Sequence, residues 1–155
     1  MKPLPHEGGY YVETYQCNEK IAKGALPARY TGERSFSTAI LYLITLDEFS
    51  ALHRMKTDEI FHFYLGDPAT MLQLHPDGSS DAITLGQDIL NGQRVQVTVP
   101  KNTWQGCCVN EGGEFALMGC TTAPGFEFED FELGKRQELL SQYPNQRDPI
   151  LRLTR

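Results

Sequence analysis

Between Ser50 and Gly66 the chain reads SALHRMKTDEIFHFYLG, and within it His53 and Glu59 are the side chains best suited to moving a proton. An imidazole beside a carboxylate suits abstraction of a proton next to a carbonyl, as in sugar epimerisation or keto–enol interconversion. The plainer alternative is a satisfied polar pair with a structural role. Arg34 and Arg54 could clamp a carboxylate or phosphate, and Tyr10, Tyr42 and Trp104 could stack on a ring. Each has a bland competitor. Arg54 alternates away from His53, where a surface ion pair is its natural role, and Tyr42 and Trp104 are core aromatics in the commoner case.

Positioning these groups falls to strands. Period-two and aromatic-rich runs predict strands over Tyr10–Gln16, Phe36–Leu46, Glu59–Leu65, Ala69–Leu74, Ala82–Leu85, Arg94–Val99, Trp104–Val109 and Phe115–Thr121. If Glu59 points inward, so do Phe61 and Phe63, while Ile60, His62 and Tyr64 face the other way. His75-Pro-Asp-Gly78 and Gly66-Asp67-Pro68 are turn signals, and Gly112-Gly113 is expected to join the Trp104 and Phe115 segments as a hairpin. One helix is expected over Gly134–Gln142, stopped by Pro144. The acidic run Glu127–Glu132, interleaved with Phe128 and Phe131, reads as a strand or loop edge with a solvated face, or as a segment that closes over the site. Short strands at near-regular spacing make one all-β domain, a sandwich or barrel, over residues 1–155.

Composition narrows the function classes. The chain has 155 residues, 22% of them charged, and a net charge of −6 with no basic cluster, which argues against nucleic acid as a partner. No apolar run is long enough to span a membrane, and Met1–Tyr10 lacks the apolar region of a signal peptide, so a cytoplasmic location is expected. Cys17, Cys107, Cys108 and Cys120 form no C-x-x-C pair and are read as reduced, small hydrophobes. Neighbouring Cys107 and Cys108 are expected on opposite faces of a strand, which argues against a joint metal site.

A His, a Glu six residues on and a Gly seven beyond that resemble the first signature of the cupin superfamily. Met55 stands where a second ligand His is usual, and Gly66 where the signature closes a hairpin. Pro100, Asn102 and Gln105 occupy the second signature, Gln105 in place of its His. The chain is more closely similar to the uncharacterised cupin-5 family, through His6-Glu-Gly-Gly9 followed by Tyr10-Tyr11, Ser37-Thr38, His53-Arg54, Asp58-Glu59, Gly66-Asp67-Pro68, Val99-Pro100, Trp104-Gln105, Gly119-Cys120, Pro124-Gly-Phe126 and Asp130-Phe-Glu-Leu133. The resemblance implies a small double-stranded β-helix, a jelly-roll cupin barrel, with a short C-terminal helix, pairing as a homodimer and open at a mouth lined by polar and aromatic groups.

On that frame His53 and Glu59 are the expected catalytic groups. Tyr10, Arg34, Ser37, Tyr42, Phe61, Trp104 and Gln105 are the expected contacts to a small polar ligand. No cofactor is expected. If a divalent metal binds, it does so weakly through His53, Glu59 and Gln105, because a thioether and an amide replace two imidazoles. The leading function is a metal-independent isomerase or epimerase. A non-catalytic metabolite-binding module is the alternative, and a metal-dependent oxygenase or hydrolase a further one.

Overall fold

Alternation of apolar and polar residues builds nearly all of this molecule. The computed structural model describes residues 1–155. Its strands are Lys2–Pro3 (β1), Tyr10–Gln16 (β2), Lys20–Ile21 (β3), Arg34–Ser35 (β4), Thr38–Thr45 (β5), Phe49–Met55 (β6), Glu59–Gly66 (β7), Ala69–Leu74 (β8), Ser80–Leu85 (β9), Gln96–Val99 (β10), Trp104–Val109 (β11), Phe115–Thr122 (β12) and Phe131–Leu133 (β13). Two helices, Arg136–Gln142 (α1) and Arg147–Arg152 (α2), follow.

The strands form a six-stranded sheet, β1-β2-β5-β12-β7-β10, a five-stranded sheet, β13-β6-β11-β8-β9, and a small β3-β4 pair. The two large sheets are the walls of a jelly-roll barrel. Tyr42 and Ile44 of β5, Phe61 and Phe63 of β7, Met71 of β8, Cys107 of β11 and Met118 of β12 fill the space between them. A second core lies outside the five-stranded sheet, where Leu52, Leu72, Leu74 and Trp104 are covered by Leu139, Tyr143, Ile150 and Leu153 of the C-terminal helices. Burying each such aliphatic side chain is worth about 1.5–3 kcal/mol, so the helices stabilise the sheet that carries His53.

Three expectations need correcting. Gly112-Gly113 does not close a hairpin: β11 and β12 belong to different sheets, and so do β7 and β8 around Gly66. In a jelly roll the chain passes from sheet to sheet, so these short turns bend over the barrel edge. Asp67 ties the two crossings together by accepting the Glu114 N–H at 2.7 Å. The expected helix at Gly134 begins at Arg136, and a second helix, α2, follows, with Pro149 in its first turn, where a missing N–H costs nothing. The Phe36–Leu46 strand is shorter than expected, leaving Phe36 exposed. His75-Pro-Asp-Gly78 does turn a hairpin, between β8 and β9. No helix is long and apolar enough to cross a membrane.

Candidate functional site

A β-bulge sets the site. Along β6, Ser50 and His53 are three residues apart, so strict alternation would send them to opposite faces. Gln105 pairs with His53 and Cys107 with Ser50, with a register shift between, so β6 carries one more residue here than β11. Gly106 sits at the shift, where a Cβ would meet the Ser50 carbonyl oxygen at 2.7 Å. The bulge lets Ser50 and His53 converge on one group, Glu7. The Ser50 hydroxyl donates to Glu7 Oε1 at 2.7 Å, and His53 Nε2 lies 3.8 Å from Glu7 Oε2.

His53 is buried, and its Nδ1 is 2.8 Å from the Ala51 carbonyl oxygen. A carbonyl only accepts, so Nδ1 carries the proton and Nε2 presents a lone pair. That lone pair faces the Gln105 amide nitrogen at 2.6 Å, and the same nitrogen donates to Glu59 Oε2 at 3.2 Å. Gln105 thus bridges the imidazole and the carboxylate, while its own Oε1 is buried without a donor.

Glu59 opens β7 at the same level as two hydroxyls. It pairs with Thr122 across β7–β12, and Thr122 pairs with Thr38 across β12–β5. The threonine hydroxyls are 2.9 Å apart, and the Phe126 N–H donates to Thr38 Oγ1. One hydrogen suffices between the two hydroxyls, so the pair keeps a second hydrogen to donate. Burial pushes the Glu59 carboxyl up to about 7; His53 opposes this, Glu7 adds to it, and hydrogen bonding to Cys120 and Gln105 opposes it. Burial also holds the adjoining Cys120 thiol well above its ordinary range, so it is protonated at neutral pH.

These groups border a cavity of about 130 Å³. Glu7, Glu13, His53, Glu59, Thr38, Thr122 and Cys120 supply its polar lining. Tyr11, Ile40, Met55, Phe126, Phe128 and Phe131 supply apolar walls, with the Phe131 ring stacked on His53 at 4.9 Å. The acidic run Glu127–Glu132 thus brings Phe128 and Phe131 to the cavity wall, while Glu127, Glu129 and Glu132 stay exposed on its solvated face.

Of the residues singled out in the sequence, His53 and Glu59 line the cavity and Gln105 joins them from behind. The others stand apart from its lining. Tyr10 pairs with Leu43 on the outer side of β2, and its neighbour Tyr11 faces in; the two exchange roles because the turn at Gly9 sets the phase of the strand. Arg34 is fully occupied elsewhere, its Nε 2.7 Å from Asp130 Oδ2 and its Nη2 on Asp130 and Glu129. Ser37 is half-buried beyond the end of β5, where its carbonyl accepts the Cys17 N–H, and Thr38 beside it is the cavity residue. Tyr42 donates its hydroxyl to the Gly8 carbonyl at 2.9 Å, and Phe61 packs in the barrel core. Trp104 lies in the outer core under the Arg54 guanidinium, 4.4 Å from its ring, and Arg54 also pairs with Glu132. His62 points outward, next to Gln96.

Glu7 is the group that pattern reading passed over. It lies in a loop, where alternation gives no direction; its signal was the following Gly8-Gly9, whose φ values of +102° and +68° make the turn that carries it inward.

The donor set does not fit a tightly held metal. No three His, Cys, Asp or Glu side chains are grouped to hold a metal ion. The third candidate, Gln105, turns toward His53 and Glu59 an amide nitrogen, which has no lone pair for a cation. Met55, at another ligand position, brings only a thioether to the cavity wall.

Known proteins share this architecture. The uncharacterized protein YML079W of Saccharomyces cerevisiae is 28% identical over 142 residues, covering 86% of this chain and 71% of that one. The crystal structure of protein SO0799 from Shewanella oneidensis superposes with a TM-score of 0.83 at 33% identity, over 96% of this chain and 88% of that one. A hypothetical protein from Leishmania major superposes at 0.86 with 25% identity, over 99% and 92%. The family model described as Cupin superfamily (DUF985) matches residues 1–134, and the chain accordingly belongs to this family, Cupin_5, of the cupin superfamily.

Proposed function

We propose that the barrel mouth binds a small polar metabolite and that Glu59 moves a proton on it without a metal, in the manner of an isomerase or epimerase. The observation carrying this reading is the Glu59 carboxyl, held by Gln105 at the edge of a cavity with aromatic walls, where burial pushes its pKa up to about 7. A base poised near the working pH is the most effective one. Glu59 takes a proton from carbon beside a carbonyl, and the electron pair moves into the enolate. The spare hydrogen of the Thr38–Thr122 pair, level with Glu59, is the donor to the enolate oxygen. Isomerisation is completed when the neighbouring hydroxyl gives its proton to the enolate oxygen and Glu59 returns its own to the former carbonyl carbon; in epimerisation water supplies the proton from the opposite face and Glu59 releases its own to solvent. His53 is a positioning group in this scheme, fixing Gln105 and through it Glu59.

Solvent exchange tests this. Small hydroxyketones and aldoses incubated with the protein in D2O should gain deuterium at carbon by NMR, and Glu59→Gln should stop the gain. A second reading, a non-catalytic metabolite-binding module, is favoured by the way Gln105 saturates the His53 lone pair. Ligands that stabilise the protein without exchanging deuterium would establish that reading and remove the enzyme.

The protein is further proposed to act as a homodimer in the cytoplasm. Leu41, Leu43 and Leu117 are half-buried and Val12 and Leu65 exposed; they are linked by register pairing across β2, β5, β12 and β7 and make an apolar outer face that suits a second copy. Four unpaired thiols support a reducing compartment. Light scattering should give twice the chain mass, falling to one with Leu43→Asp; a wild-type monomer would overturn the dimer.

A further inference from the structure

Glu7 is 7% exposed, yet half of its carboxylate has no donor. Oε1 accepts from Ser50, whereas the side-chain nitrogen facing Oε2, His53 Nε2, stands 3.8 Å away, beyond hydrogen-bond distance, and is engaged with Gln105. Glu7 lines the cavity, so this oxygen is open to a donor that enters.

The rest of the lining says what would do so. It contains Glu7, Glu13 and Glu59 and no lysine or arginine. The nearby cations are spent, Arg34 on Asp130 and Glu129, Arg54 on Glu132, and Lys56 on Asp130. A carboxylate or phosphate ligand would thus meet three acids and no fixed counter-charge. Phe126 and Phe128 stand edge to face with ring centroids 5.0 Å apart, and aromatic faces attract cations.

We propose that the cavity selects a small organic ammonium ion, its N–H groups on Glu7 Oε2 and its carbon frame against the phenylalanines. This rests on reading the barrel mouth as the ligand site and replaces the anion clamp expected of Arg34. It carries a linkage. The titratable groups around Glu59 are Glu7, Tyr11 and Glu13 from the N-terminal segment and β2, His53 from β6 and Cys120 from β12. A cation seated among them favours ionised Glu59, so binding expels a proton near neutral pH, and affinity rises with pH through about 7.

Calorimetry on the full chain with benzylamine, benzyl alcohol and benzoate decides the matter. Benzylamine should bind about tenfold tighter than benzyl alcohol, and benzoate should not bind. At about pH 7 the benzylamine heat should differ between phosphate and MOPS buffers in the direction of proton release. Glu7→Gln should remove the preference for the amine while leaving the affinity for the alcohol unchanged. If that variant fails to fold, the wild-type pH profile still decides: benzylamine affinity rising from about pH 6 to about pH 8, with a flat profile for the alcohol, supports the cation site. Equal binding of amine and alcohol, flat profiles for both, binding of benzoate, or no binding of benzylamine would each overturn it. Deuterium exchange into hydroxyketones is read independently, so the proton-transfer reading can survive that failure.

Discussion

Gln105 stands directly opposite His53 in the β6–β11 ladder, and its amide nitrogen meets the imidazole Nε2 at 2.6 Å. This contact uses the imidazole nitrogen on the amide, so a metal ion would have to displace Gln105 to reach it. Protein purified untagged and free of chelators should contain well under one equivalent of iron, manganese, zinc or nickel by mass spectrometry. Gln105→His, which restores a second imidazole beside His53 and Glu59, should raise divalent metal content several-fold. Stoichiometric metal in the wild type would refute this account of Gln105.

The raised pKa of Glu59 has a stability counterpart. Between the ordinary carboxyl value of 4.5 and about 7, the native chain holds a proton that the unfolded chain has released. The stability contribution from protonated Glu59 is therefore complete below about pH 4.5 and is lost as pH rises through about 7. Glu59→Gln should be the more stable form at about pH 8, by up to about 3 kcal/mol, with the gap closing at low pH. Urea denaturation of both forms across this range measures it; a gap that widens toward low pH would reverse the sign.

Arg34 and Asp130, each 2% exposed, form a buried ion pair. Removing one partner leaves an uncompensated charge, so Arg34→Met should cost about 3–5 kcal/mol in chemical denaturation. Pairing it with Asp130→Leu should recover most of the loss. A single variant as stable as the wild type would mean that the pair is decoration.

Trp104 is the one tryptophan in the chain, and it is outside the cavity. Its emission should stay constant through a titration that saturates the barrel, whereas Arg54→Ala, which removes the cation over its ring, should change the emission. Fluorescence that follows occupancy with the same midpoint as calorimetry would move the ligand to the outer core.

His53, Glu59 and Gln105 were legible because they lie on strands, where the spacing of side chains encodes their facing. Tyr11 and Tyr10 show the limit of that code. One residue of phase separates cavity from outer surface, and the phase is set by a glycine turn and by pairing to Leu43 rather than by either tyrosine. Thr38 and Thr122 are 84 positions apart and become a pair only through strand register. The bulge at Gly106 was hidden too, since a glycine in a strand announces an irregularity without saying which side chains it will reorient. Arg34 looked free because Asp130 is 96 positions away.

Arg34 also acts at a distance from its own strand. The segment carrying Phe126, Phe128 and Phe131 over the cavity is fastened at Asp130 by Arg34 and Lys56, by the Lys56 N–H on the Asp130 carbonyl, and by β13 pairing along β6. A ligand that had to pass this segment would leave no faster than the clasp releases. Its residence time would then depend on an ion pair that never touches it, and loosening the clasp by substitution should shorten it even where affinity is set by the groups inside.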